Sequence, residues 1–275
     1  MSLRPLWLAW VCVLGALAPR AASAQEAFRS ADLDRPLRVE DANPIERGEW
    51  ELESGLRAGF GEDDRVEAVV ELKTGPFWNT QVGVELHGGW ERESLGDEEE
   101  DHGGLESAGI HALIGFNRET WSWPAFSARV DVETPGAGGL GRDAWAASVK
   151  GIATRSFDRL RLHANGGYTV AEAADGGDFW RAGLALDYPI GLFSRTVMAD
   201  VYAEIPTGEE DARVWTTIGT RWQWTNTTVL DFGVGGRVDR WVDGKADVEI
   251  VVGIGRALGW TGLLEVPPYP DPKLD

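Results

Sequence analysis

Disulfide bonds are excluded first: the 275-residue chain has a single cysteine, Cys12, and it lies inside the apolar N-terminal stretch. Past Gln25 no apolar run approaches the roughly 20 residues that a membrane-spanning helix needs. Basic residues are scarce, 26 Lys and Arg against 45 Asp and Glu for a net charge of −19, which argues against nucleic acid as a partner. There are four histidines, no Gly-x-Ser-x-Gly elbow and no His-Glu-x-x-His, so the common hydrolase and metalloprotease signatures are missing. Glycine (35) and tryptophan (14), by contrast, are abundant.

The N-terminus has a recognisable layout. Met1-Ser2-Leu3-Arg4 precedes an apolar run from Pro5 to Ala18 and an Ala22-Ser23-Ala24 site, which predicts a secretory signal peptide over residues 1–24. Its removal takes away Arg4 and Arg20 and leaves a net charge near −21. Residues 25–48 carry prolines and mixed charge, and read as an extended periplasmic lead-in.

From residue 49 the chain alternates. In Glu49–Phe60, Trp50, Leu52, Leu56, Ala58 and Phe60 share one face and Glu49, Glu51, Glu53 and Arg57 the other. Side chains on a strand alternate sides, so this arm has one apolar wall and one charged wall. After Gly61–Asp64 a second arm does the same, and the hairpin then recurs to give twelve strands over residues 49–258. Strand six, Ala144–Thr154, is the least cleanly patterned, and Glu91–Gly104, with its run Asp97–Asp101, reads as a solvated loop. Strand eleven is read through Val238 and Asp239.

Connections after odd strands are polar and mostly longer; those after even strands are shorter and carry aromatics. Trp78, Trp121, Trp123, Tyr188, Phe193, Trp222 and Trp224 gather at the short-turn end, and Phe60, Trp90, Trp145, Trp180, Trp215 and Trp241 at the other. Two aromatic belts around an aliphatic band predict an all-β, antiparallel, up-and-down transmembrane barrel. A soluble β-sandwich or lipocalin-like barrel accounts for the alternation but not for the belts.

In a membrane barrel the charged wall lines the lumen. The candidates are Glu51, Glu53, Arg57, Glu85, His87, His111, Arg129, Asp131, Arg161, His163, Arg181, Asp200, Arg221, Asp231, Arg237 and Glu249. They would act either as salt-bridge ladders that stiffen a closed barrel or as a polar pathway. The acidic excess predicts a preference for cations if the barrel conducts. Ser107 and His111 share a face without a third, orienting acid, and His87 with His111 is a conceivable metal pair whose simpler role is as lumen polarity. No catalytic residue, metal or cofactor is assigned.

The segment from Arg35-Pro36-Leu37-Arg38 through Asn43-Pro44 to Gly48 resembles the start of an outer-membrane barrel family named for the meta-pathway of phenol degradation (MetA-type). Asp131-Val132-Glu133-Thr134-Pro135-Gly136 and Tyr202-Ala203-Glu204-Ile205-Pro206-Thr207-Gly208 are similar to that family too. The resemblance implies a twelve-stranded barrel that moves small solutes, organic or hydrophobic ones included. Outer-membrane lipid, lipopolysaccharide and the barrel assembly machinery are the expected partners in a Gram-negative-type envelope. The proline-rich tail, residues 259–275, departs from barrels that end on a terminal aromatic, and it cannot be a central strand. A closed structural barrel and an outer-membrane lipid enzyme are the competing readings.

Overall fold

Twelve strands close on themselves in sequence order, each antiparallel to its neighbours. They are β1 Trp50–Phe60, β2 Asp64–Phe77, β3 Thr80–Leu95, β4 Glu98–Asn117, β5 Ala125–Glu133, β6 Ala146–Phe157, β7 Leu160–Val170, β8 Phe179–Ile190, β9 Arg195–Pro206, β10 Arg213–Thr225, β11 Thr228–Arg237 and β12 Val248–Leu258. The computed structural model describes residues 36–258, except 62–63, 96–97, 138–140, 142, 172–176, 192–193, 209–210, 243 and 246. The expected signal peptide, Phe193 and the C-terminal tail therefore lie outside the described residues.

Closure is complete along β1, whose pairing with β12 runs from Trp50↔Leu258 to Phe60↔Val248. A barrel satisfies every backbone group between strands and leaves no edge, which is what a strand must achieve in lipid. The tight turns at the short end have the residues that they need. Asn79 and Asp158 adopt positive φ (53° and 57°) in two-residue turns, a conformation that Asn and Asp tolerate better than other non-glycine residues.

The two walls are inverted relative to a soluble protein. Ile110, Leu184 and Ile218 are 60–67% exposed on the outside, whereas Lys73 and Arg129 are 1–2% exposed on the inside. Water would not leave an aliphatic band of this extent uncovered around a charged interior, and lipid does. This removes the soluble-barrel alternative.

Three local features depart from the sequence reading. Glu91–Gly104 is mostly ladder rather than loop: β3 and β4 stay paired out to Leu95↔Glu98, and Arg92 Nε reaches Asp101 Oδ1 at 3.0 Å. Backbone pairing and the Arg92–Asp101 ion pair carry the charged hairpin outward. Val238 and Asp239 leave the sheet in a one-turn helix, Val238–Val242. Trp215 belongs to neither belt; its parity puts it inside, where Arg38 and Arg237 lie over its ring at 5.1 and 5.6 Å. Strand six runs on to Phe157, with Ala146, Lys150, Ile152 and Thr154 facing in.

Candidate functional site

The lumen is occupied by the chain's own N-terminal segment. Residues 36–48 are extended, as the prolines suggest, but they run inside the barrel rather than outside it as a periplasmic lead-in. The segment enters at the short-turn mouth, where Gly48 N–H donates to the Gly75 carbonyl at 2.8 Å. It then rises to mid-barrel and crosses toward β9–β12. Leu37, Val39 and Ala42 are all but fully buried.

Wall side chains replace the ladder partners that this extended segment lacks. Ile45 N–H donates to Gln81 Oε1 at 3.1 Å and Ala42 N–H to Thr154 Oγ1 at 2.9 Å. Glu40 N–H donates to Asn165 Oδ1, and Arg38 N–H to Asp200 Oδ2. A buried backbone N–H without an acceptor is costly, so each of these wall groups contributes to holding the segment. Apolar contacts are fewer: Leu37 and Val39 pack with Ala185 and Met198, and Ala42 with Leu113, Ala125 and Ile152. Glycines make the room. A Cβ on Gly183 would come within 2.5 Å of Val39, and one on Gly219 within 2.6 Å of Pro36.

Charge is matched across the same boundary. Arg38 pairs with Glu249 at 2.9 Å, with Arg57 beside the same carboxylate at 3.6 Å. Glu40 receives Lys150 Nζ at 2.5 Å and lies 3.5 Å from Arg129, which also binds Asp131 and reaches toward Glu85. Asp41 faces Arg161 at 3.8 Å. The wall has its own pairs: Glu51 and Glu53 around Lys73, Arg161 with Asp187, and Arg221 with Asp231. Arg237 holds Asp239 at the long-loop mouth. There burial pushes the Asp239 carboxyl up, but hydrogen bonds from Arg237 and from Val214 N–H outweigh it and hold it below the usual range.

Every candidate lumen residue thus sits on the inner wall: Glu51, Glu53, Glu85, His111, Arg129, Asp131, His163, Asp200, Arg221 and Asp231 are buried there, and Arg57, His87, Arg161, Arg181, Arg237 and Glu249 are half-buried. Their partners in the segment (Arg38, Glu40 and Asp41), together with Lys150 and Thr154 of strand six and Asn165 of β7, were not among the sequence candidates. Strand parity marks Lys150 and Thr154 as inward, and the alternation of Leu37 and Val39 with Arg38 and Glu40 marks a strand-like segment. Neither pattern says that the segment enters the barrel.

One chain of contacts has the connectivity of a hydroxyl–imidazole–carboxylate relay. Thr154 Oγ1 lies 3.0 Å from His163 Nδ1, and His163 Nε2 lies 2.9 Å from Asp187 Oδ2. Ala42 N–H donates to Thr154 Oγ1, which ties the segment to this chain of contacts. The hydroxyl is buried beneath the segment, and the relay acts as its anchor.

Above the segment remains a cavity of about 180 Å³. Its lining includes Arg38, Arg129, Lys150 and Arg181 opposite Glu85, Asp131, Glu133 and Glu204, so its walls are charge-balanced rather than acidic.

A closed antiparallel barrel with aliphatic residues outside and paired charges inside is a transmembrane barrel of the outer-membrane type. Its fold is similar to the COG4313 outer membrane channel from Pseudomonas putida F1, with a TM-score of 0.62 and 11% identity over 79% of this chain and 98% of that one. It is also similar to the β domain of the Bordetella autotransporter BrkA, with a TM-score of 0.51 and 12% identity over 78% of this chain and all of that one. No protein-family model matches the chain, and no curated protein matches it.

Proposed function

We propose that this chain is an outer-membrane channel for small solutes whose resting state is closed by residues 36–48. The observation that carries the reading is what blocks the lumen. Much of the obstruction is a separate extended segment held by individual hydrogen bonds and ion pairs to wall side chains, and such a segment can leave while the wall stays intact. An obstruction of this kind is a gate, whereas interlocked wall side chains would be permanent. The fold shared with the COG4313 outer membrane channel supports the same reading.

On this proposal the signal peptide directs export, the assembly machinery inserts the barrel, and lipid and lipopolysaccharide surround it. Membership of the MetA-type family is part of the proposal, and the segment that carries the resemblance is the one in the lumen. A channel reading also fits better than a lipid enzyme, because the hydroxyl of the Thr154–His163–Asp187 relay is occupied by Ala42.

Conductance in planar bilayers tests it. The full chain is expected to show rare, small openings, and a variant lacking residues 36–46 is expected to conduct steadily. Both should keep the faster unboiled band of a folded barrel on a detergent gel. A folded deletion variant that does not conduct would establish the competing reading, a closed barrel with a structural or envelope-anchoring role.

A further inference from the structure

Three inward positions on adjacent strands converge below the cavity. Glu71 of β2 and Glu85 of β3 are direct cross-strand partners, and His111 of β4 pairs with Gly83, two residues before Glu85. All three are buried, and one ligand atom from each lies within 4.8 Å of the others.

His111 is the informative member. It is 4% exposed, and neither ring nitrogen makes a hydrogen bond. Its Nε2 lies 3.3 Å from Glu71 Oε1 without hydrogen-bond geometry. For bond lengths of about 2.0 Å, about 3.3 Å is the edge of a tetrahedron around a cation. A cation between the two atoms would satisfy both, where no hydrogen bond does.

The cradle is built to hold the ring. A Cβ on Gly83 would come within 2.3 Å of the His111 imidazole, and one on Gly109 within 2.6 Å of Glu85. Both glycines therefore yield their space to the converging side chains. Glu85 also lines the cavity, which supplies the entry path.

We propose that Glu71, Glu85 and His111 form a binding site for one borderline divalent transition cation, Zn²⁺-like in its preference for one imidazole and two carboxylates. Three protein ligands leave a fourth position to water, and binding draws together ligand atoms that now lie within 4.8 Å of one another. Arg129 connects this site to the segment in the lumen. It lies 3.7 Å from Glu85 Oε2 and 3.5 Å from Glu40, so the cation sits two contacts from the gate. The inference stands apart from the channel reading, since binding is measured without transport.

The test uses the full chain refolded in detergent, stripped with chelator and titrated with Co²⁺ in excess Mg²⁺. One Co²⁺ per barrel is expected, with the intense visible bands of a four- or five-coordinate ion, displaced by Zn²⁺. Glu71→Gln and His111→Gln should each weaken binding at least tenfold while keeping the unboiled gel shift, and His102→Gln should leave it unchanged. Should the two lumen variants fail to fold, X-ray absorption of Zn²⁺-loaded wild type and His102→Gln decides: one imidazole and oxygen ligands are expected in both. No stoichiometric binding, loss of binding in His102→Gln, or a shell without imidazole overturns the site.

Discussion

Asn165 on the barrel wall and Glu40 in the segment that crosses the lumen exchange two hydrogen bonds. Glu40 N–H donates to Asn165 Oδ1 at 2.8 Å, and Asn165 Nδ2 donates back to the Glu40 carbonyl at 2.9 Å. A single side-chain amide thus supplies what a neighbouring strand would otherwise provide. Replacing Asn165 with Leu leaves both Glu40 backbone groups unsatisfied, at a cost of about 1–3 kcal/mol per group. The docked population should fall at least tenfold, seen as a rise in open probability in bilayers. The unboiled gel band should stay, because the substitution keeps the backbone pairing of position 165 with Ile152 and Gly183.

Lys150 reaches the same residue by charge. Lys150→Met leaves the Glu40 carboxylate with Arg129 alone, and breaking a buried pair from one side costs about 3–5 kcal/mol. Adding Glu40→Gln removes the uncompensated charge, so the double variant should dock better than Lys150→Met by itself. Reactivity of a cysteine placed at Leu37 toward a water-soluble reagent reads this directly. Equal labelling of the single and double variants would sink the pairing.

Gly183 faces Val39 with no room for a side chain, its nearest other neighbours being 3.3 Å and more from a built Cβ. Gly183→Ala should therefore displace the segment and leave the wall nearly intact. Conductance should rise toward that of the deletion variant, with thermal stability of the barrel within a few degrees of wild type.

Outside, the aliphatic band sets a different cost. Ile110→Arg places a charge in the lipid-facing band and should destabilise the barrel by about 2–4 kcal/mol in urea titrations from vesicles. Trp215→Ala should leave vesicle insertion unchanged, because Trp215 stacks under Arg38 and Arg237 in the lumen. A loss of insertion in Trp215→Ala would put that ring back in a belt.

Selectivity follows from what the lumen retains when the segment leaves. Glu51, Glu53, Glu71 and Glu85 line β1–β3, with Lys73 beside Glu51 and Glu53 and Arg129 beside Glu85. The opened variant should prefer cations, with a reversal potential in a salt gradient of the corresponding sign. Glu85→Gln should reduce that preference.

Strand number, the inner and outer faces and the aromatic ends are local properties. Period-two alternation reports them residue by residue, and Glu51, Arg129 or Asp231 could be placed inside from their neighbours alone. Strand six needed only its parity, which Lys150 and Thr154 carry. What lies inside the closed wall is a different kind of fact. Glu40 and Asn165 are 125 positions apart and Arg38 and Glu249 are 211 apart, and they meet because closure and register bring their strands around one lumen. Residues 36–48 alternate like a strand and carry prolines like a linker, so their pattern fits an exterior tether as well as an interior plug. The plug wins because the lumen offers the polar side chains and glycine-made space that this segment requires. Trp215 and the Glu71–Glu85–His111 cluster were decided in the same way, by which inward positions the barrel's curvature brings together.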